Sequence, residues 1–97
     1  MTINKSLDGN TVTLNIAGWL NTQTAPELET ALGELEQNAD ALVLDMEALE
    51  YISSAGVRQI VAAYKKMKGA LTLRHVSPEI MSILRMTGLD KRLHIEP

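Results

Sequence analysis

No cysteine occurs among the 97 residues, which removes disulfides, a thiolate nucleophile and thiolate metal sites. Basic residues do not cluster: no Lys/Arg run is longer than Lys65-Lys66, and the net charge is −3. Nucleic-acid binding needs a basic face, so no nucleic-acid partner is expected. No apolar run approaches the roughly 18–20 residues of a membrane span, and Met1-Thr2-Ile3-Asn4-Lys5 carries no apolar signal segment. No membrane partner and a cytoplasmic location are therefore expected. A Gly-rich phosphate-cradling loop is also missing, so no cofactor is expected and any phosphoryl donor would come from a partner. The remaining composition, 45% apolar and 22% charged, is that of an ordinary globular chain. Its length suits one core and a single domain over residues 1–97.

Periodicity divides the chain into short elements. Ile3, Lys5 and Leu7 alternate weakly, since Lys5 falls on the apolar phase. Asp8-Gly9-Asn10 signals a turn, and Val12, Leu14 and Ile16 then alternate with Thr11, Thr13 and Asn15, which predicts an antiparallel hairpin. Thr24-Ala25-Pro26-Glu27 has the form of a capped helix start, followed by Leu28, Ala31, Leu32 and Leu35 and an end at Asn38-Ala39-Asp40. Ala41-Leu42-Val43-Leu44 is a continuous apolar run, read as a central parallel strand covered on both faces and closed by Asp45. After a loop at 46–52, Val57, Ile60, Val61, Tyr64 and Met67 mark a second helix stopped by Gly69. Leu71 and Leu73 mark a strand, Ser77-Pro78 begins a third helix that ends at Gly88, and Leu93-His94-Ile95 suits an edge strand. The expected class is α/β in the order β-β-α-β-α-β-α(-β), a mixed, mostly parallel sheet with helices packed against it.

Tyr51-Ile52-Ser53-Ser54-Ala55-Gly56-Val57-Arg58 places two hydroxyls where the second helix begins. A hydroxyl there caps free backbone N–H groups, or it carries a phosphate at the positive end of the helix dipole. Spacing alone favours capping. Asp45 reads as a loop-ordering acceptor in preference to a metal ligand, and Gly56 as a residue permitting close approach. His75 and His94 have no metal-ligand spacing and read as structural or surface residues, so no metal is expected. Trp19 reads as a surface anchor or as a side chain packed over the sheet edge, and Met81 and Met86 as helix core in preference to a sticky surface patch. A serine hydrolase would need Gly two residues before its nucleophile, but Ile52 precedes Ser54. Enzymatic activity is not expected.

Three stretches together resemble the STAS domains of bacterial anti-sigma factor antagonists: Gly18-Trp19-Leu20-Asn21 leading into the first helix, Leu42-Val43-Leu44-Asp45-Met46, and Ile52-Ser53-Ser54-Ala55-Gly56-Val57. The resemblance covers essentially the whole chain and implies a STAS-type fold. It also implies that Ser54 is phosphorylated by an ATP-bound anti-sigma factor serine kinase and restored by a PP2C-type serine phosphatase. The unphosphorylated protein would then hold the kinase and free a sigma factor, and it would be a monomer when free. The implied partner-binding residues are Ser53, Ser54, Ala55, Gly56, Asn21, Asp45 and Arg58. Asn21 stands where the family often has Asp, and Arg58 where it often has a small residue. Related STAS domains also serve stress-sensing, ABC lipid-transport and sulfate-transport assemblies, some without a phosphate switch. Constitutive docking in such an assembly is the alternative expectation.

Overall fold

The computed structural model describes residues 1–97. The chain runs β1 (Thr2–Asp8), β2 (Thr11–Leu20), α1 (Ala25–Gly33), β3 (Ala41–Asp45), β4 (Leu49–Ile52), α2 (Ser54–Lys66), β5 (Leu71–Arg74), α3 (Pro78–Met86), a 3-10 turn (Leu89–Lys91) and β6 (His94–Glu96). Strand order across the sheet is β1-β2-β3-β5-β6, with β4 paired to β2. Only β1 and β2 are antiparallel; every other pairing is parallel. Asp8 faces Thr11, so Gly9 and Asn10 make a two-residue turn in which Gly9 takes φ 61°.

Alternation decides which side of the sheet is dry. Val12, Leu14 and Ile16 of β2 lie in register with Leu42 and Leu44 of β3, which in turn face Leu71 and Leu73 of β5. These residues share one buried cluster with Leu28 and Leu32 of α1, Ile60 and Ala63 of α2, and Ile80 and Leu84 of α3. All three helices therefore cover the same face. Strand β3 is central, parallel on both sides and covered on both faces, as expected: Leu42 and Leu44 lie under the helices, while Val43 lies outside that cluster, between Thr13 and Thr72. Only 7% of it is exposed, so those neighbours on the helix-free face are enough to shield it. A continuous apolar run results without a second helical layer.

The segment 46–52, expected as a loop, contains a strand. At ten residues β2 outruns β3, and its end at Gly18–Leu20 pairs with β4. A register irregularity at Gly18/Trp19 leaves Glu50 and Tyr51 both outward between buried Leu49 and Ile52. That bulge removes the period-two signal. Helix α1 also stops earlier than expected, at Gly33. An exposed glycine costs a helix about 1 kcal/mol relative to Ala, and the Glu34 N–H already turns back to Thr30 and Ala31. Met86 is 85% exposed, so it is not core; it ends α3 on the wet side, whereas Met81 packs against the core.

Lys5, the residue that blurred the first strand, reaches across to Glu36 Oε1 at 2.6 Å. That bond holds the Glu36 carboxyl below its ordinary 4.5, and a hydrogen bond from Arg74 does the same for Glu96. A lowered carboxyl stabilises the fold above its unfolded value and loses that contribution as pH falls through the folded value. Thermal melts taken from pH 6 downward should therefore weaken below about 4.5, and less steeply in Lys5→Gln. In the core, Leu44→Ala should cost ~2–5 kcal/mol in urea unfolding.

Candidate functional site

The pairing of β2 with β4 builds the site. Leu20 lies opposite Ile52, and the Ser53 N–H donates to the Leu20 carbonyl at 2.9 Å. Ser53 is extended, at φ −101° and ψ 177°, and its Oγ accepts from the Gly56 N–H at 3.4 Å. Ser53 is thus the N-cap. Ser54 is the first helical residue and is exposed. Its own N–H and that of Ala55 fall in the first turn, where an α-helix has no internal acceptors.

Gly56 permits this arrangement. A Cβ placed there would lie 2.7 Å from Leu20 Cγ, 2.8 Å from Ile52 Cγ1 and 3.0 Å from the Leu20 carbonyl oxygen. The first turn of α2 therefore rests directly on the ends of β2 and β4.

Asn21 follows Leu20 and orders the turn into α1. Its Oδ1 accepts from the Gln23 and Thr24 N–H groups at 2.9 and 3.1 Å. The predicted capping role of Thr24 is corrected: its hydroxyl makes no cap bond to α1. It accepts from the Asn21 N–H at 2.9 Å and donates to the Trp19 carbonyl at 2.7 Å. The expected motif is present, but Asn21 orders the turn one step earlier. An amide oxygen meets this need as well as a carboxylate does.

Arg58, four residues after Ser54 and exposed, shares its helix face. First turns in α1 and α3 carry Glu27 and Glu79, whereas that of α2 carries no acidic residue. The positive end of its dipole is left uncompensated. Trp19 and Tyr51, opposite one another across the β2–β4 pair, are 56% and 43% exposed with ring centroids 5.3 Å apart at 47°. Trp19 is therefore a surface side chain.

Asp45 has different company. Its Oδ1 accepts from the Glu47 N–H at 3.1 Å, the ordering role expected, and lies 3.0 Å from His75 Nδ1. Glu47 Oε2 is 3.7 Å from the same nitrogen. No hydrogen bond or ion pair joins Asp45 to Ser53 or Ser54. Sequence reasoning missed His75 because 30 residues separate it from Asp45. Only the parallel pairing of β3 with β5, which sets Asp45 opposite Arg74, makes them neighbours.

Residues 2–97 match the STAS domain family, and the chain belongs to it. Its relatives include the anti-sigma-B factor antagonist of Bacillus subtilis, 29% identical over 89 residues, which cover 89% of this chain and 82% of that one. A solved anti-sigma factor antagonist from Mycobacterium paratuberculosis superposes with a TM-score of 0.89 at 27% identity, covering 99% of this chain and 85% of that one. The Bacillus cell fate determinant SpoIIAA, solved in its phosphorylated form, has the same fold, with a TM-score of 0.67 at 18% identity over 99% of this chain and 92% of that one.

The two serines should separate cleanly in urea unfolding. Ser53→Ala should lose ~0.5–2 kcal/mol, the usual cost of a lost N-cap, while Ser54→Ala should stay within about 0.5 kcal/mol, as exposed substitutions do. Gly56→Ala should cost ~1–3 kcal/mol, because backbone and packed side chains must give way.

Proposed function

We propose that this protein is an anti-sigma factor antagonist switched by phosphorylation of Ser54. Unphosphorylated, it binds an ATP-bound anti-sigma serine kinase and so frees a sigma factor; phosphorylated, it lets go until a PP2C-type phosphatase restores the hydroxyl. It works in the cytoplasm, as a monomer when free and as the kinase's substrate; it is not itself an enzyme. One observation carries this reading: Ser53 takes the cap, which leaves the neighbouring Ser54 hydroxyl exposed at a helix start. The anti-sigma antagonist relatives support it, as does SpoIIAA, a protein of this fold known with phosphate attached.

The energetics suit a switch that acts at a surface. Phosphate adds about −1.5 to −2 charge. At the start of α2 that charge meets free N–H groups and no carboxylate in the first turn, an arrangement worth ~0.3–1 kcal/mol in favour of the fold. A thousandfold loss of partner affinity takes only ~4 kcal/mol. A dianion trapped against apolar or acidic partner groups supplies this through desolvation and repulsion. Trp19 and Tyr51 are exposed on the β2–β4 pair that leads into the helix start and would extend the contact surface. Arg58 is placed to pair with the phosphate from one turn along.

Incubation with the cognate anti-sigma kinase and ATP, followed by peptide mapping, tests the proposal. Phosphate should appear on Ser54; label confined to Ser53, or none from a kinase that binds, would refute it. Ser54→Ala should bind that kinase whether or not ATP is present, and Ser54→Asp should bind at least about tenfold more weakly, a loss of ~1.4 kcal/mol. Binding indifferent to both changes would favour constitutive docking.

A further inference from the structure

We propose that Asp45, Glu47 and His75 form a binding site for a divalent transition-metal cation of the zinc class. One imidazole nitrogen and two carboxylate oxygens would supply the protein ligands. The donor atoms of all three lie within 4.8 Å of one another. Ligands held about 2.0–2.1 Å from a tetrahedral ion stand roughly 3.3–3.4 Å apart. The distances from His75 Nδ1, 3.0 Å to Asp45 Oδ1 and 3.7 Å to Glu47 Oε2, bracket that separation, and the two carboxylates lie within 4.8 Å of each other.

The charge balance points the same way. Two carboxylates converge on a single imidazole, and no Lys or Arg forms an ion pair with either. Arg74, the register partner of Asp45, is the nearest guanidinium along the strand pair, yet it is bonded to Glu96 at 3.2 Å. A bound cation compensates a negative pair that the protein's own basic residues leave alone.

The frame around the cluster is firm. Asp45 ends β3, and buried Met46 donates its N–H to the Arg74 carbonyl at 2.8 Å. The Glu47 N–H bond to Asp45 Oδ1 orients that carboxylate, as outer hydrogen bonds do around metal ligands. Asp45 and Glu47 also line a concavity of about 330 Å³ shared with Asn4 and Asn15, which His75 does not line. A nitrogen donor favours zinc, nickel or cobalt over Mg²⁺, which prefers oxygen ligands and dehydrates reluctantly.

Calorimetric titration of the full-length, chelator-treated protein with zinc chloride tests the site, with the His75 imidazole signals followed by NMR. One equivalent should bind and shift those signals. Magnesium chloride at the same concentration should not. Glu47→Gln alters only an exposed side chain, and His75→Asn keeps a residue type that tolerates the observed φ of 57°. Each should weaken zinc binding by roughly tenfold or more, while His94→Gln should leave it unchanged. The proposal is overturned by zinc binding that survives His75→Asn, by an equal response to magnesium, by loss on His94→Gln, or by no binding up to millimolar zinc.

Discussion

Helix α2 begins where it does because Gly56 has no side chain. Its backbone lies on Leu20 and Ile52 more closely than any Cβ would allow, and that contact fixes the helix start against the ends of β2 and β4. From it follow the extended Ser53, the bond from Ser53 N–H to the Leu20 carbonyl, and the cap from Ser53 Oγ to Gly56. Only with Ser53 so occupied is Ser54 left outward at the first helical position. A bulkier residue at position 56 would lift the first turn and disturb both serines together.

That geometry divides two tasks that a single hydroxyl would perform badly. A cap must hold its oxygen on a backbone N–H, whereas a phosphate acceptor must be reachable by an enzyme. Adjacent serines on an extended-to-helical step point different ways, so one is structural while its neighbour stays free for chemistry. Because the helix start tolerates negative charge, the proposed phosphorylation would change what a partner meets far more than it would change the scaffold. The helix-free sheet face, with Asp45 and His75 at its rim, forms a second polar surface whose contacts do not involve the serines.

Local chemistry was readable from the chain; non-local pairing was not. Ser77-Pro78 predicts a capped start, and Ser77 Oγ accepts from the Ile80 N–H at 3.2 Å. Asp8-Gly9-Asn10 predicts the hairpin turn, and the Ser53-Ser54 pair marks the capped start of α2. These signals lie within four residues of their consequence. Strand β4 escaped notice because its bulge breaks alternation, and its reason for being a strand is the overhang of β2, some 30 residues earlier. Thr24 misled because its oxygen accepts from the Asn21 N–H and not from a helix N–H, while its hydrogen goes to the Trp19 carbonyl. The run Leu42-Val43-Leu44 was readable as a covered central strand, although on the helix-free face it is neighbouring threonines that flank Val43. His75 has no sequence signal at all beyond following a strand, since the register of β3 with β5 alone brings it to Asp45.

The claim that phosphate at Ser54 alters the surface and spares the scaffold is tested most directly by urea unfolding of the stoichiometrically phosphorylated protein beside the unmodified one. The account predicts a midpoint that is unchanged or slightly raised, with the same slope. A clearly lowered midpoint, or a shallower slope signalling a loosened native state, would contradict it.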